Sequence, residues 1–183
     1  LTIIVKNKID TLLFDSTKSL SFKGELFLSR FELFGEFEKH QIMMRALGLS
    51  TKYQIQFYSK NSNKENAFIK LSNFYWDSLI IKDKIESLSQ ILELKSVQNF
   101  QTEYRKILLD ALISPQPPLI SLAADGIDSL FISENSKQLL EIISNQIDKY
   151  KDNPNYLEAT ISLVNLAEKI DKDFYMTILE KVK

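Results

Sequence analysis

Apolar side chains recur with the spacing of an α-helix through the second half of this sequence. After Thr102 they fall at i, i+3, i+4, i+7 and i+8, which places them on one helical face: Tyr104, Ile107, Leu108, Ala111 and Leu112. The prolines between Ser114 and Pro118 end this helix, because proline lacks an amide donor and biases the residue before it away from helical dihedral angles. Pro118 can begin the next helix, whose apolar positions are Ile120, Ala123, Ala124, Ile127, Leu130 and Phe131.

Two further apolar stripes follow a polar break at Ser133 to Ser136. The first is capped by Asn135 and carries Leu139, Leu140, Ile143, Ile147 and Tyr150; the second carries Tyr156, Leu157, Ile161, Val164, Ala167 and Ile170. We predict four helices, near 97–113, 118–131, 136–150 and 155–170, and a short final helix that begins near Asp171. The helices of the second pair start about 39 and 37 residues after those of the first, close to the period of stacked two-helix repeats. All-α proteins with regular helices and short loops can show the same spacing by chance.

The first half of the chain is also predicted to be helical. Leu20 to Phe37 is apolar enough for one helix and Phe37 to Leu49 for a second, with Gly35 and Gly48 as punctuation. Tyr53, Ile55 and Phe57 alternate with polar residues, which fits a short strand or an irregular helix, and we favour the helix. Helical spacing resumes after a turn at Asn61–Asn63, over about 67–79 and 85–92, and residues 3–14 fit a frayed helix. The predicted fold is all-α, with antiparallel helical hairpins stacked into a short α-solenoid of the HEAT or armadillo type.

Composition narrows the class of protein without naming a function. The chain has 183 residues, 44% hydrophobic and 26% charged, and only four Gly and four Pro, which suits long helices with brief connections. Lys and Arg (23) balance Asp and Glu (24) and are interspersed, so no nucleic-acid footprint is visible. The absence of Cys excludes disulfides and thiol nucleophiles. The apolar stretch Leu1–Val5 is too short to insert into a membrane. Because the chain begins with Leu, we expect it to be a processed product or a fragment of a longer protein.

Residues that could carry catalysis or hold a metal do not form a recognisable motif. His40 has only Glu36 one helical turn away, and a metal site needs more donors. Carboxylate pairs on shared helical faces, Glu32 with Glu36 and Asp125 with Asp128, are expected to be solvated surface. No glycine-flanked serine elbow and no phosphate-binding loop is present. We therefore expect no catalytic, cofactor or metal site, and we expect the aromatic cluster Phe74–Trp76 to pack in the core or between helices.

One stretch of the sequence resembles a known repeat. Residues Pro117 to Leu130 (PPLISLAADGIDSL) resemble the helix-turn stretch of HEAT repeats, and Asn153 to Ile170 is similar to the corresponding part of the next unit. The pattern departs from that family at Ser121, where a basic residue is common, and in lacking the usual connecting Asp. These repeat-like units occur together with Lys-, Asn- and Ile-rich helices. That combination is similar to helical regions of large bacterial proteins that also carry a cyclophilin-type peptidyl-prolyl isomerase domain. That resemblance implies a non-catalytic portion, because the isomerase barrel is absent.

Three functional hypotheses follow from the sequence. The first is a non-catalytic interaction or scaffolding module. Its clearest repeats are 97–131 and 136–170, and their second helices, about 118–131 and 155–170, are expected to face a protein or peptide partner. Its exposed candidate residues are Ser121, Asp125, Asp128, Glu158, Ser162, Asn165 and Lys169. The second hypothesis is a compact helical enzyme with a pocket lined by carboxylates. The third is a helical bundle that dimerises by burying exposed Phe residues.

Overall fold

The computed structural model describes residues 2–48, 50–60, 63–94 and 100–182, and within these ranges it is all-α. No strand occurs in the described ranges, which confirms the predicted all-α class, and Tyr53–Phe57 lies in a helix as favoured. The predicted helix start at 97 and the turn residues 61 and 62 lie outside the described residues. The helices are α1 (Thr2–Phe14), α2 (Leu20–Ser29), α3 (Glu36–Arg45), α4 (Thr51–Ser59), α5 (Lys64–Asp77), α6 (Ile81–Glu93), α7 (Gln101–Leu112), α8 (Pro117–Gly126), α9 (Ser129–Tyr150), α10 (Leu157–Ile170) and α11 (Lys172–Lys181).

The chain divides into two compact units, Leu1–Lys70 and Leu71–Lys183. The core of the first unit is built around Phe27, whose ring lies 5.4 Å from that of Phe31 and 5.9 Å from that of Phe34. Phe57 of α4 stacks on Phe27 at 6.4 Å. Such aromatic pairs add to the hydrophobic stabilisation that their burial provides. These four phenylalanines are therefore core residues, as the sequence predicts, whereas Phe14, Phe22 and Phe37 of the same unit are exposed.

The second unit is organised by its two most central helices. Helix α8 packs against α6, α7 and α10, and α10 in turn packs against α9 and α11. The buried side of α8 includes Ile120, Ala123 and Ala124, and the small alanines allow neighbouring helices to approach closely. Gly126 ends α8 beneath Leu92 of α6, where an added Cβ would lie only 2.3 Å from a Leu92 methyl carbon. Close helix packing therefore sets the residue types along α8.

The predicted boundaries are wrong at two places in the chain. The helix predicted over Leu20 to Phe37 is divided, because α2 ends at Ser29, a 3-10 turn spans Phe31–Leu33, and α3 begins after Gly35. The Glu38 carboxylate accepts a hydrogen bond from the Gly35 N–H at 2.8 Å, and this contact favours a new helix start at that position. Gly48 follows α3 and has a φ of 59°, a left-handed conformation that suits glycine. This agrees with its predicted position at the end of a helix.

The second correction concerns the helix predicted over 118–131. Helix α8 ends at Gly126, Ile127 is extended, and the Asp128 carboxylate accepts a hydrogen bond from the Phe131 N–H at 2.8 Å, which caps α9. The polar stretch Ser133 to Ser136 is a kink within α9, since Asn135 has a φ of −131° and a ψ of 15°. Asn135 donates to the Phe131 carbonyl at 3.0 Å and does not cap a new helix. The predicted final helix is confirmed, with Asp171 as the cap of α11.

Candidate interaction surface

Four of the seven predicted partner-binding residues lie on one stripe of α10. Glu158, Ser162, Asn165 and Lys169 follow the spacing i, i+4, i+7 and i+11, which keeps them on a single helical face. The Ser162 hydroxyl lies 3.5 Å from a carboxylate oxygen of Asp125 in α8, a long donor–acceptor distance. The structure therefore brings Asp125 beside the middle of the α10 stripe. We call these five residues the α8–α10 edge.

Two of the predicted residues are not exposed. Ser121 is 9% and Ser162 is 7% exposed, so the expectation that both line an open surface is wrong. The physical reason is that α8 and α10 pack directly on each other, and serine is small enough to lie between two closely approaching helices. The Ser121 hydroxyl has no hydrogen-bond partner among the described residues. Ser121 therefore contributes to helix packing and is inaccessible to a partner.

Asp128 is exposed, but it already has a structural role. Its carboxylate caps α9 through the Phe131 N–H, so it stands outside the helical face of Asp125 with which the sequence grouped it. Burial raises the pKa of the Tyr104 hydroxyl to about 12, and the nearby negative charge of Asp128 adds to the rise. The exposed residues of the predicted set that remain free of such a capping role are Asp125, Glu158, Asn165 and Lys169.

A groove beside α10 was missed from the sequence. Leu157 and Ile161 were expected on the buried face of α10, but they are 64% and 53% exposed, and the buried residues are Ala159, Ser162, Leu163, Val164, Leu166 and Ala167. The groove has a volume of about 490 Å³. Its walls are formed by the turn 151–154, by Leu157, Thr160, Ile161, Val164 and Asn165 of α10, and by Leu179 and Val182. We call it the α10–α11 groove.

The signal for this groove was present in the sequence. Helix α10 carries apolar residues around most of its circumference, which is typical of a helix that contacts neighbours on more than one side. Periodicity alone grouped Leu157 and Ile161 with Ala167, because a broad apolar arc can be divided into faces in several ways. In the structure, one part of this apolar arc is buried and consists largely of small residues and leucines. The other part is aliphatic and exposed.

No protein-family model, no curated protein and no solved structure matches this chain. Its chemistry therefore has to be judged from its own residues. Among the residues described by the structure, no group of three or more His, Asp or Glu side chains is placed to hold a metal ion. Within the same residues, no helix is both long and apolar enough to cross a membrane.

The other residues considered for catalysis or metal binding make contacts that stabilise the fold. His40 lies exposed on α3, with its ring edge-on to Phe57 at 5.2 Å. The Tyr75 hydroxyl donates to Asp110 of α7 at 2.7 Å, and the Trp76 indole N–H donates to Glu103 of the same helix at 2.6 Å. These two bonds tie α5 to α7, which confirms the predicted inter-helix role of this aromatic cluster. Burial and the Asp110 carboxylate both raise the pKa of Tyr75.

Proposed function

We propose that this chain is a non-catalytic protein-interaction module: a short α-solenoid of stacked helical hairpins that binds a protein or peptide partner along the α8–α10 edge. The proposal joins an architecture, which organises the helices, to a surface, which contacts the partner. Each has its own support among the described residues, and the experiment below tests the surface.

The recurrence of contacts between helices two apart in chain order supports the architecture. In the first unit, Lys6 pairs with Glu38 and the Tyr53 hydroxyl lies 3.5 Å from the Ser21 carbonyl, and both pairs are 32 residues apart. In the second unit the corresponding separations run from 33 to 37 residues for these pairs: Tyr75 with Asp110, Leu112 with Gln146, Asp125 with Ser162, and both Ser144 and Asp148 with Lys181. Two further contacts between the same helix pairs, Trp76 with Glu103 and Arg105 with Glu134, are 27 and 29 residues apart. Contacts between each helix and the helix two further along the chain are what stacked hairpins produce, because each repeat contacts its neighbours.

One of these contacts is well suited to fix the position of neighbouring hairpins. Gln146 is buried, and its side-chain amide donates to the Leu112 carbonyl at 2.7 Å. Leu112 is the last residue of α7, so its carbonyl has no partner within the helix. A buried amide that satisfies such a carbonyl favours a single register between α7 and α9, since a slip would leave both groups without a partner.

The α8–α10 edge has the properties of a surface that contacts polypeptide. Its exposed members are the carboxylates of Asp125 and Glu158, the amide of Asn165 and the ammonium of Lys169. The edge therefore offers both signs of charge and an amide that donates and accepts hydrogen bonds. These groups suit a partner with charges of both signs, and charge placement of this kind contributes more to specificity than to affinity.

The surface can be tested with a matched pair of triple variants. The test variant combines Glu158→Lys, Asn165→Ala and Lys169→Glu, all at exposed positions of α10. The control makes the same three kinds of change at exposed positions of α9, which carries Glu141, Asn145 and Lys137. Circular dichroism verifies that both variants keep the helical content of the wild type before any binding is compared.

The readout is quantitative affinity capture from the native source. We expect at least one partner to be retained by the wild type and the α9 control, and to be reduced about tenfold or more by the α10 variant, because several edge contacts are lost together. Equal recovery of every partner by all three proteins would contradict the assignment of the surface, and so would equal loss from both variants.

A further inference from the structure

We propose that Tyr150 and Tyr156 form an oxidative modification site, at which a peroxide-derived one-electron oxidant joins the two phenol rings into a dityrosine cross-link. Tyr150 is the last residue of α9, and Tyr156 ends the 3-10 turn that precedes α10. Their ring centres lie 3.9 Å apart, and the ring planes are inclined by only 8°. Both side chains are half-buried, so a small oxidant can reach them. The inference is independent of the partner-binding proposal, because neither tyrosine belongs to the α8–α10 edge.

The two rings are closer than aromatic side chains usually lie. Aromatic pairs prefer offset or edge-on arrangements with centroids about 4.5–7 Å apart, and a face-to-face sandwich is less favourable electrostatically. A nearly parallel pair at 3.9 Å therefore needs support from the surrounding chain. At this separation the carbons of one ring lie over those of the other, which is the approach that coupling of two phenols requires.

The turn between α9 and α10 supplies this support. The Asn153 N–H donates to the Tyr150 carbonyl and the Tyr156 N–H donates to the Asn153 carbonyl, both at 2.9 Å. The Asn153 side chain also accepts a hydrogen bond from the Asn155 N–H at 3.1 Å. The Tyr156 hydroxyl donates to the Pro115 carbonyl, which holds its ring from the turn between α7 and α8. Two reacting groups that are already held together lose little further freedom when they react.

The cross-linking reaction balances with a peroxide as the oxidant. Each tyrosine gives one electron to the oxidant and one proton to solvent, which leaves a tyrosyl radical. The two unpaired electrons then form a carbon–carbon bond between ring positions next to the hydroxyl groups. Each bonded carbon releases its hydrogen as a proton and each oxygen takes one up, which restores both phenols. Overall the protein loses two hydrogen atoms, and one hydrogen peroxide is reduced to two waters.

Oxidation of the purified full chain tests the proposal. The protein is treated with hydrogen peroxide and a haem peroxidase, which oxidises phenols in one-electron steps, and is then digested with trypsin. Cleavage after Lys149, Lys151 and Lys169 separates Tyr150 from Tyr156 unless the two are joined. We expect a joined peptide whose mass is the sum of the two peptides less two hydrogen atoms, together with dityrosine fluorescence. At about 10 µM protein, the mM-range effective concentration across a short segment should favour coupling within the chain over coupling between chains by about tenfold or more.

Three variants separate the stacked pair from other causes. Tyr150→Phe keeps an aromatic ring but removes the phenol, so it should abolish the joined peptide. Tyr175→Phe is the matched control, since Tyr175 is a half-buried tyrosine of α11, and it should leave the yield unchanged. Asn153→Ala keeps both tyrosines but removes the acceptor for the Asn155 N–H, which loosens the turn, and it should cause a partial loss of the joined peptide.

Four results would overturn the proposal. The first is the absence of the joined peptide from the oxidised wild type, and the second is a yield that Tyr175→Phe lowers as much as Tyr150→Phe does. The third is an unchanged yield in Asn153→Ala, because closeness in the sequence alone would then account for the cross-link. The fourth is dityrosine found mainly in covalent dimers, which would show coupling between chains. None of these results depends on whether the α8–α10 edge binds a partner.

Discussion

Gly24 provides the sharpest test of how closely the helices of the first unit approach each other. It is buried in α2, and a Cβ built on it would lie 2.0 Å and 2.1 Å from two ring carbons of Tyr53 in α4. The Tyr53 side chain is itself buried, so its rigid ring has little room to move. Close approach of α2 to α4 therefore requires glycine at this position.

Two opposing effects decide the sign of Gly24→Ala. Alanine is favoured over glycine inside a helix by about 1 kcal/mol, which alone would stabilise the fold. Overpacking in a well-packed core typically costs about 1–3 kcal/mol, and a separation near 2 Å belongs at the upper end of that range. We therefore expect Gly24→Ala to lower the free energy of unfolding by about 1–2 kcal/mol, measured by urea unfolding followed by circular dichroism.

A double-mutant cycle with Tyr53→Ala separates these two effects. Removing the ring removes the clash, so in that background Gly24→Ala should reverse its sign and stabilise the protein by about 1 kcal/mol. Gly35→Ala is a control for an added methyl group without a clash, since its Cβ would meet only a Glu38 oxygen at 3.6 Å. Gly35 is the N-cap of α3, where alanine is less favourable than glycine, so this change should cost about 0.5–1 kcal/mol and the cost should be the same with and without the Tyr53 ring. If Gly24→Ala stabilises the wild-type background, or costs the same with and without the Tyr53 ring, the close-packing argument is refuted.

Three further predictions concern burial and charge. Gln146→Leu should lower the free energy of unfolding by about 1–3 kcal/mol, because the buried Leu112 carbonyl loses its donor, and urea unfolding measures the change. Ser121→Ala should raise it by about 0.5–1 kcal/mol in the same assay, because the serine hydroxyl is buried without a partner and alanine favours the helix. Hydrogen bonds from Lys6 and the Gly35 N–H lower the pKa of Glu38, so its contribution to stability is present above the unfolded-state pKa and is lost as pH falls through the folded value. The urea midpoint of Glu38→Gln should accordingly fall less steeply than that of the wild type below about pH 4, and parallel curves would contradict this reasoning.

The class of fold could be predicted because it depends on local periodicity. Apolar spacing at i, i+3, i+4 and i+7 is a property of the sequence itself, and it identified helices throughout the second unit. The end of α8 could not be predicted in this way, because Ile127 and Phe131 continue the same period across the break. What decides that break is the competition between helix continuation and the Asp128 carboxylate, which caps α9 once Ile127 is extended.

The candidate surfaces were harder to predict, because exposure depends on what each helix meets. Ser121 and Ser162 are polar, so the sequence favoured an exposed position, yet both lie buried at helix contacts. Leu157 and Ile161 are apolar, so the sequence favoured burial, yet both are exposed. In each case the residue type is compatible with either environment, and only the packing of neighbouring helices selects one.

These two reversals have a common physical basis that relates packing to function. Where helices approach closely, large side chains do not fit, and Gly24, Gly126 and Ser121 occupy such contacts. Small residues inside and large aliphatic residues outside is the opposite of what solubility alone would select. Helix α10 shows both effects, because the close contact with α8 that buries Ser162 lies on the side of the helix away from Leu157, and Leu157 and Ile161 line the α10–α11 groove instead.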